Sequence, residues 1–211
     1  PVNIPIEGGQ YLLECVATSD TDEKRVFQQG FWGNDPALLQ EGSVMEAGRD
    51  YFRKDGRPFP IVGQTYMTSD VARKFIFMPN VAAWDQDMKT MKEAGINLIR
   101  TGLWTGWRHL MFIDGHPSEE VLRAIDAFLL TAKKYDIEVT FNFFAFTPIA
   151  YEGENPYLDP RSVKAQKRFI RALTERHVDT TNVQWDLINE PSMFDPKRYF
   201  QGPRSAQDRF E

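Results

Sequence analysis

The sequence of 211 residues predicts an α/β fold, in which a parallel β-sheet is covered by amphipathic helices. One observation behind this prediction is a change of rhythm, because apolar strand-like runs alternate with helical patterns from Pro60 onward. A second observation is that each of these runs is apolar enough to be buried on both faces, as strands of parallel sheets are. Strands that follow one another through helices in this way are joined by right-handed crossovers.

The segment up to about Gly48 has a different, β-rich pattern. Two runs, Tyr11–Thr18 and Val26–Trp32, are joined by a polar turn and predict a hairpin. An isolated hairpin is marginal in water, so this one must pack on another element. A second hairpin is predicted around Asp55-Gly56, a pair that favours a tight turn between strands. We expect this second hairpin to close the bottom of the domain that follows.

Four strands are predicted after Pro60, and together they form the sheet. Their bounds are Ile61–Met67, Asn97–Trp104, Ile137–Ala145 and Val183–Asn189. Such a sheet is completed either as an open, doubly wound sheet or as a closed eight-stranded barrel. No glycine-rich phosphate loop follows the first strand, where Gly63 precedes Gln64-Thr65-Tyr66-Met67, and this disfavours a nucleotide-binding open sheet.

Three helices are predicted between these strands, each from a local signal. Gly95 suits the left-handed conformation that follows a helix and ends the first, Ala82–Ala94. Ser118 is the expected N-cap of the second, and Asp159-Pro160 begins the third. The residues expected on the buried faces are Trp84, Met88 and Met91 in the first helix, Val121, Leu122, Ile125, Phe128, Leu129 and Ala132 in the second, and Val163, Ile170 and Leu173 in the third.

Composition and charge exclude several classes of partner. The formal net charge is -5, and acidic and basic residues are interspersed, so we expect neither a nucleic acid nor a membrane partner. Cys15 is the only cysteine, which excludes an intrachain disulfide. The histidines His109, His116 and His177 have no metal-ligand spacing, and we expect no metal and no cofactor.

The segment most informative about chemistry is Trp185-Asp186-Leu187-Ile188-Asn189-Glu190-Pro191. An apolar strand ends here in an amide and a carboxyl, at the edge of a parallel sheet where barrel enzymes build their active sites. A carboxyl that is desolvated there has a raised pKa and can donate a proton near neutral pH. The alternative interpretation is that Asn189 and Glu190 only cap the helix that follows.

Arg100, at the end of the second predicted strand, supports the chemical interpretation. An arginine at the end of a buried strand needs a carboxylate partner, because an unpaired buried charge is costly. The alternative is that its side chain reaches back to solvent.

The sequence resembles the large clan of retaining glycoside hydrolases with eight-fold barrels, with families 2, 5 and 42 as the nearest. The resemblance rests on Asn189-Glu190-Pro191 after a fourth strand, on Arg100 and on the approach Tyr51–Gly63, and it covers about Tyr51 to Glu211. It implies that Glu190 is the general acid/base, that Asn189 contacts the 2-hydroxyl of the sugar and that Arg100 orients the nucleophile. The implied activity is cleavage of β-glycosidic bonds with retention, and the implied partner is an oligo- or polysaccharide.

The resemblance also implies that part of the barrel is missing. The nucleophile of the clan is a glutamate after the seventh strand, whereas this sequence stops at Glu211, where the helix after the fourth strand should begin. We therefore expect residues 50–211 to be the N-terminal half of a catalytic barrel, inactive by itself without its C-terminal half. Residues 1–49 are expected to be the tail of an accessory β-sandwich. The third strand lacks a histidine that many family 5 members carry nearby.

Aromatic residues in or beside the loops after the second and third strands are the other sugar signal, since flat rings stack on the apolar faces of pyranoses. The candidates are Trp104, Trp107, Phe144, Phe146 and Tyr157, and the alternative for each is a place in the core.

A different function also fits the sequence: a carbohydrate-binding or pseudo-enzyme barrel without a working nucleophile. The resemblance favours an extracellular or periplasmic location and leaves the cytoplasm open.

Overall fold

The computed structural model describes residues 5–104, 107–112, 114–145 and 159–189. Its strands are β1 (Gly9–Thr18), β2 (Lys24–Gly33), β3 (Glu46–Ala47), β4 (Phe52–Lys54), β5 (Arg57–Pro58), β6 (Gly63–Thr65), β7 (Leu98–Gly102), β8 (Glu138–Asn142) and β9 (Val183–Asp186). Its helices are α1 (Pro36–Gln40), α2 (Val81–Glu93), α3 (Trp107–Leu110), α4 (Glu119–Lys134) and α5 (Pro160–Arg176). Strands and helices alternate from β6 onward, which confirms the predicted α/β fold.

The strands β6, β7, β8 and β9 form one parallel sheet in that order. Thr65 pairs with Arg100, Arg100 with Thr140 and Thr140 with Gln184, so one level of the sheet runs across all four strands. An open, doubly wound sheet reverses its strand order at a switch point. These four strands instead follow their chain order, as strands do in the first half of a (β/α)8 barrel.

The strands are shorter than predicted. The first is Gly63–Thr65, and the side chains of Ile61 and Val62 before it are exposed. The fourth strand ends at Asp186, and Leu187 after it is 60% exposed. Apolar residues therefore continue beyond the pairing that defines each strand, which explains why the apolar pattern overestimated the strand lengths.

The predicted helix starts are largely confirmed, because each is fixed by a local hydrogen bond. Asn80 caps α2 by accepting from the backbone N–H groups of Ala82 and Ala83, Ser118 caps α4, and Asp159 caps α5. The predicted stripe of α2, Trp84, Met88 and Met91, is buried. Within the described ranges, no helix has the length and apolar character that a membrane span requires.

The buried face of α5 differs from the prediction. Its fully buried residues are Ser162, Ala165, Phe169 and Leu173; Ile170 is partly buried and packs against the core, as predicted, and Val163 is partly buried. The reason is a close backbone contact: a Cβ atom on Gly115 would collide with the backbone of Ala165. Small residues allow this approach of the loop to the helix, and a search for large apolar residues overlooks them.

The core lies between the sheet and its covering helices. Phe75, Trp84 and Phe128 are fully buried, and their ring centroids lie 5.1 to 6.2 Å apart. Ile99 of β7 and Val139 of β8 belong to the same buried cluster. Because side chains alternate along a strand, the residues next to these two in sequence point to the opposite face of the sheet, where the polar side chains are found.

The hairpin formed by β1 and β2 packs on the helices, as predicted for an element that is marginal alone. Trp32 Nε1 donates a hydrogen bond of 2.9 Å to Thr131 Oγ1 on α4, and Gly30 lies against the start of α2. The far end of the hairpin is exposed, including Leu13, Val16 and Phe27. The division of the chain into residues 1–49 and 50–211 stays a prediction.

The second hairpin lies at the N-terminal edge of the parallel sheet, as expected for a bottom cap. Lys54 Nζ of β4 lies 2.7 Å from Oε1 of Glu138, the first residue of β8, and Gln184 Nε2 donates to the other carboxylate oxygen at 2.6 Å. The side chain of Glu138 is 1% exposed. Burial lowers the pKa of Lys54, but the hydrogen bond and the charge of Glu138 outweigh burial and raise it above its usual value.

We expect Lys54→Met in the complete protein to reduce the free energy of unfolding by about 3 kcal/mol, because it leaves a buried carboxylate unpaired. Urea denaturation of the variant and the parent protein measures the loss. Lys24→Met on the exposed hairpin is the control, and an equal loss in both variants would contradict the assigned role of the pair.

Candidate active site

The candidate site lies at the C-terminal edge of the parallel sheet, opposite the cap. Arg100 of β7, Asp186 at the end of β9 and Asn189 just beyond it meet there. The sequence analysis placed Arg100 at the end of the second strand. In the structure it is the third residue of β7, because the strand continues to Gly102. Its long side chain still reaches the edge where β9 ends.

One nitrogen of Arg100 bonds two acceptors. Nη2 donates to Asp186 Oδ2 at 2.7 Å and to Asn189 Oδ1 at 3.1 Å. The side chains of Arg100 and Asp186 are 32% and 29% exposed, so the pair is half-buried. The expected carboxylate partner of Arg100 is therefore present, and the alternative in which this arginine only reaches back to solvent does not describe the structure.

Asn189 is fixed at both its backbone and its side chain. Its backbone N–H donates to the carbonyl of Phe144 at 2.9 Å, which continues the contact between the third and fourth strands beyond Asp186. A guanidinium only donates, so Oδ1 of Asn189 faces Arg100. The Nδ2 group then points elsewhere and donates to no other group in the described part of the chain. The site thus presents an amide donor immediately before position 190.

Asp186 is the site residue that the sequence analysis overlooked. It stands in the same segment as Asn189, but no local pattern distinguishes it from a solvent-facing acid. Its partner Arg100 is 86 residues away in the chain. The available signal was an acidic residue at the end of a buried strand, where a charge needs a partner.

A buried amide lies next to this pair. Asn142 ends β8 and is opposite Gly102 of β7 and Asp186 of β9. It is fully buried, and neither atom of its side-chain amide has a hydrogen-bond partner within the described residues. A Cβ atom on Gly102 would collide with the backbone of Asn142, so glycine lets the two strands approach at the level of the site.

The structure separates the predicted aromatic contacts. Trp104 lies beside the site, with its ring centroid 5.9 Å from Cζ of Arg100, but it is only 7% exposed. Phe144 is 3% exposed and packs near Phe143 and Phe169, which favours the alternative of a place in the core. The backbone of Trp107 begins α3, and its side chain lies outside the described part of the structure.

Three further candidates, Phe146, Tyr157 and Glu190, also lie outside the described residues. The arrangement around Arg100 is nevertheless described up to the residue before Glu190. Among the described side chains, no group of three or more histidines, cysteines or acids could hold a metal ion.

Comparison with known proteins identifies relatives that act on mannose polymers. No family model matches the chain. The chain is 27% identical over 166 residues to mannan endo-1,4-beta-mannosidase 8 of Oryza sativa subsp. japonica, a match that covers 64% of this chain and 44% of the relative. The chain therefore spans less than half the length of this curated relative.

Solved structures of similar fold agree with this relative. The endo-1,4-beta-mannanase of Rhizomucor miehei aligns with a TM-score of 0.57 and 18% identity, covering 71% of this chain and 49% of the mannanase. The exo-beta-1,4-mannosidase Op5Man5 of Opitutaceae bacterium strain TAV5 aligns with a TM-score of 0.60 and 18% identity, covering 71% of this chain and 29% of the mannosidase. The beta-mannanase of the blue mussel Mytilus edulis aligns with a TM-score of 0.55 and 14% identity, covering 71% of this chain and 46% of the mannanase. At these identities the alignments show a shared fold.

The fold of the chain is shared with glycosidases of the barrel type. The four parallel strands and their helices are the first half of a (β/α)8 barrel, as predicted. The resemblance to the barrel clan of glycoside hydrolases is confirmed over part of the chain, and the relatives that share sequence or fold with it are glycosidases.

We expect Gly102→Ala in the complete protein to reduce the free energy of unfolding by about 2 kcal/mol more than Gly9→Ala. Both glycines have a positive φ, but a Cβ atom at position 9 has nothing within 4 Å, whereas at position 102 it collides with the backbone of Asn142. Urea denaturation of the two variants isolates the collision from the strain common to both. Equal losses would show that β7 and β8 can move apart at Gly102 without any loss of stability.

Proposed function

We propose that the protein hydrolyses β-glycosidic bonds with retention and that Glu190 is its general acid/base. The observation that carries the proposal is the contact of Arg100 with Asp186 and Asn189, because it lies at the C-terminal edge of a barrel sheet directly before Glu190. The named relatives favour a β-1,4-linked mannan as the first substrate to test.

The proposed chemistry is a double displacement, which needs two carboxyl groups about 5–5.5 Å apart. In the first step a nucleophilic carboxylate bonds to the anomeric carbon while Glu190 gives its proton to the departing glycosidic oxygen. In the second step Glu190 takes a proton from water, and the water oxygen replaces the carboxylate at the same carbon. The nucleophile belongs to the C-terminal half of the barrel in this proposal.

Asn189 and Arg100 have supporting roles in the proposal. The Nδ2 group of Asn189 donates a hydrogen bond to the 2-hydroxyl of the sugar, a contact that strengthens in the transition state. Arg100 uses only Nη2 for its two described partners, so its remaining N–H groups are available to hold the nucleophile. Trp104, Trp107, Phe144 and Tyr157 stay predicted sugar contacts, and the ring centroid of Trp104 lies 5.9 Å from Cζ of Arg100.

A non-catalytic barrel that binds carbohydrate is the second candidate, because the contact between Arg100 and Asn189 would suit sugar binding without hydrolysis. The two candidates differ at one position in the rest of the barrel. A glutamate after a later strand supports catalysis, and any other residue there supports binding alone.

We expect Glu190→Gln in the complete protein to lose at least about 100-fold more turnover on aryl β-mannosides with poor leaving groups than on activated ones. Only a poor leaving group needs the proton from an acid. Steady-state kinetics on a series of aryl glycosides measures the difference. Glu175→Gln, an exposed position on α5, is the matched control, and an equal loss on all leaving groups would refute the acid role.

We expect Arg100→Ala in the complete protein to lower turnover by about 100-fold, because the carboxylate it orients is displaced from its reactive position. The thermal unfolding midpoint should stay within a few degrees of the parent protein, since the pair with Asp186 is half-exposed. Turnover and thermal unfolding are measured side by side. Arg73→Ala at an exposed position is the control, and loss of the folded state in Arg100→Ala would make this arginine a structural residue.

A further inference from the structure

We propose that Asp186 is a positioning residue that sets the orientation of the Asn189 amide by holding Arg100 between them. This inference rests on the proposed function, because it concerns how the sugar hydroxyl is recognised. It assigns a role to a side chain outside the three that the resemblance implies.

Asp186 and Asn189 share one donor, Nη2 of Arg100. Nη2 of Arg100 carries two N–H groups, and it donates to one oxygen of Asp186 and to one oxygen of Asn189. The shorter bond, 2.7 Å, is to the carboxylate, and a charge-assisted bond of this length is the stronger of the two. Asp186 therefore determines where Nη2 lies, and the position of Nη2 determines which end of the Asn189 amide faces it.

Asp186 prevents an alternative orientation of Arg100. The arginine side chain is one third exposed and has several rotatable bonds, so without Asp186 its guanidinium is free to turn towards water or towards another carboxylate. The ring of Trp104 faces the guanidinium of Arg100, with its centroid 5.9 Å from Cζ. A contact of this kind does not stop the guanidinium from rotating within its own plane. Once Nη2 moves away, either end of the Asn189 amide can point into the site.

The orientation of the Asn189 amide has a consequence for substrate recognition. With Oδ1 held by Arg100, the amide offers a donor to the sugar, and the hydroxyl bound there must accept. In the flipped amide the carbonyl oxygen would face the sugar, and the donor would face the cationic guanidinium. Asp186 therefore selects one of two amide orientations without touching the sugar itself.

The test compares one aryl β-glycoside that the complete protein hydrolyses with its 2-deoxy counterpart. We expect Asp186→Asn to lower kcat/KM about 10-fold more on the parent substrate than on the 2-deoxy substrate, because any displacement of Arg100 from the nucleophile lowers both values equally. The two losses are compared within one preparation of the variant, so any reduction in its folded fraction cancels. Asp179→Asn, an exposed acid in the turn before β9, is the matched control.

A double-mutant cycle completes the test. In the background of Asn189→Ala, Asp186→Asn should lower kcat/KM on the parent and 2-deoxy substrates by the same factor, because the amide that distinguishes them is absent. Asp186→Glu, which keeps the charge, should recover part of the activity. Equal losses on both substrates in Asp186→Asn alone, or a difference between the substrates that persists in the Asn189→Ala background, would overturn the inference. Absence of hydrolysis of any β-glycoside by the parent protein would instead refute the proposed function.

Discussion

The parallel pairing of β6 to β9 in chain order is the constraint on which the rest of the structure depends. Strands that run in one direction bring their C-terminal ends to one edge, and a register fixed by hydrogen bonds sets which residues share a level. The apolar residues of β7 and β8 that face the helices hold the sheet against α2 and α4. Residues on the other face do not pack on the helices, so they can be polar. Those residues include Arg100, Gln184 and Asp186.

The charged groups at the two edges of the sheet differ in burial and in the number of their partners. At the N-terminal edge Glu138 is almost fully buried and has two partners, Lys54 and Gln184, which fasten the cap to the strands. At the C-terminal edge Arg100 and Asp186 remain half-exposed, and Arg100 uses only Nη2 for its two partners among the described residues. Barrel enzymes show the same division between a stable bottom and a reactive top.

The parts of this fold that depend on short-range chemistry were predictable from the sequence. Ser118 and Asp159 are N-caps because an oxygen side chain next to free N–H groups is favourable whatever surrounds it. Strand ends were less predictable, since Leu187 is apolar yet unpaired and exposed. The buried face of α5 depends on the approach of the loop at Gly115, which no helical periodicity contains.

The candidate site was predictable in part for the same reason. Arg100 and Asn189 were found through a motif, whereas Asp186 is defined by a contact across 86 residues, and its place at the end of a buried strand was the one signal in the sequence. Phe144 was included because aromatic rings are common in sugar sites; it is 3% exposed, and its sugar contact stays a prediction. Glu190 was identified by its neighbours, and its role remains part of the proposal.

The contact between Arg100 and Asp186 also has a mechanical consequence, because it joins the second and fourth strands and skips the third. In a flat sheet those strands are about 9.5 Å apart. The long arginine side chain bridges this distance, and the ion pair of 2.7 Å ties β7 to β9 across β8. The bond thus opposes separation of two strands that share no backbone hydrogen bonds in the sheet.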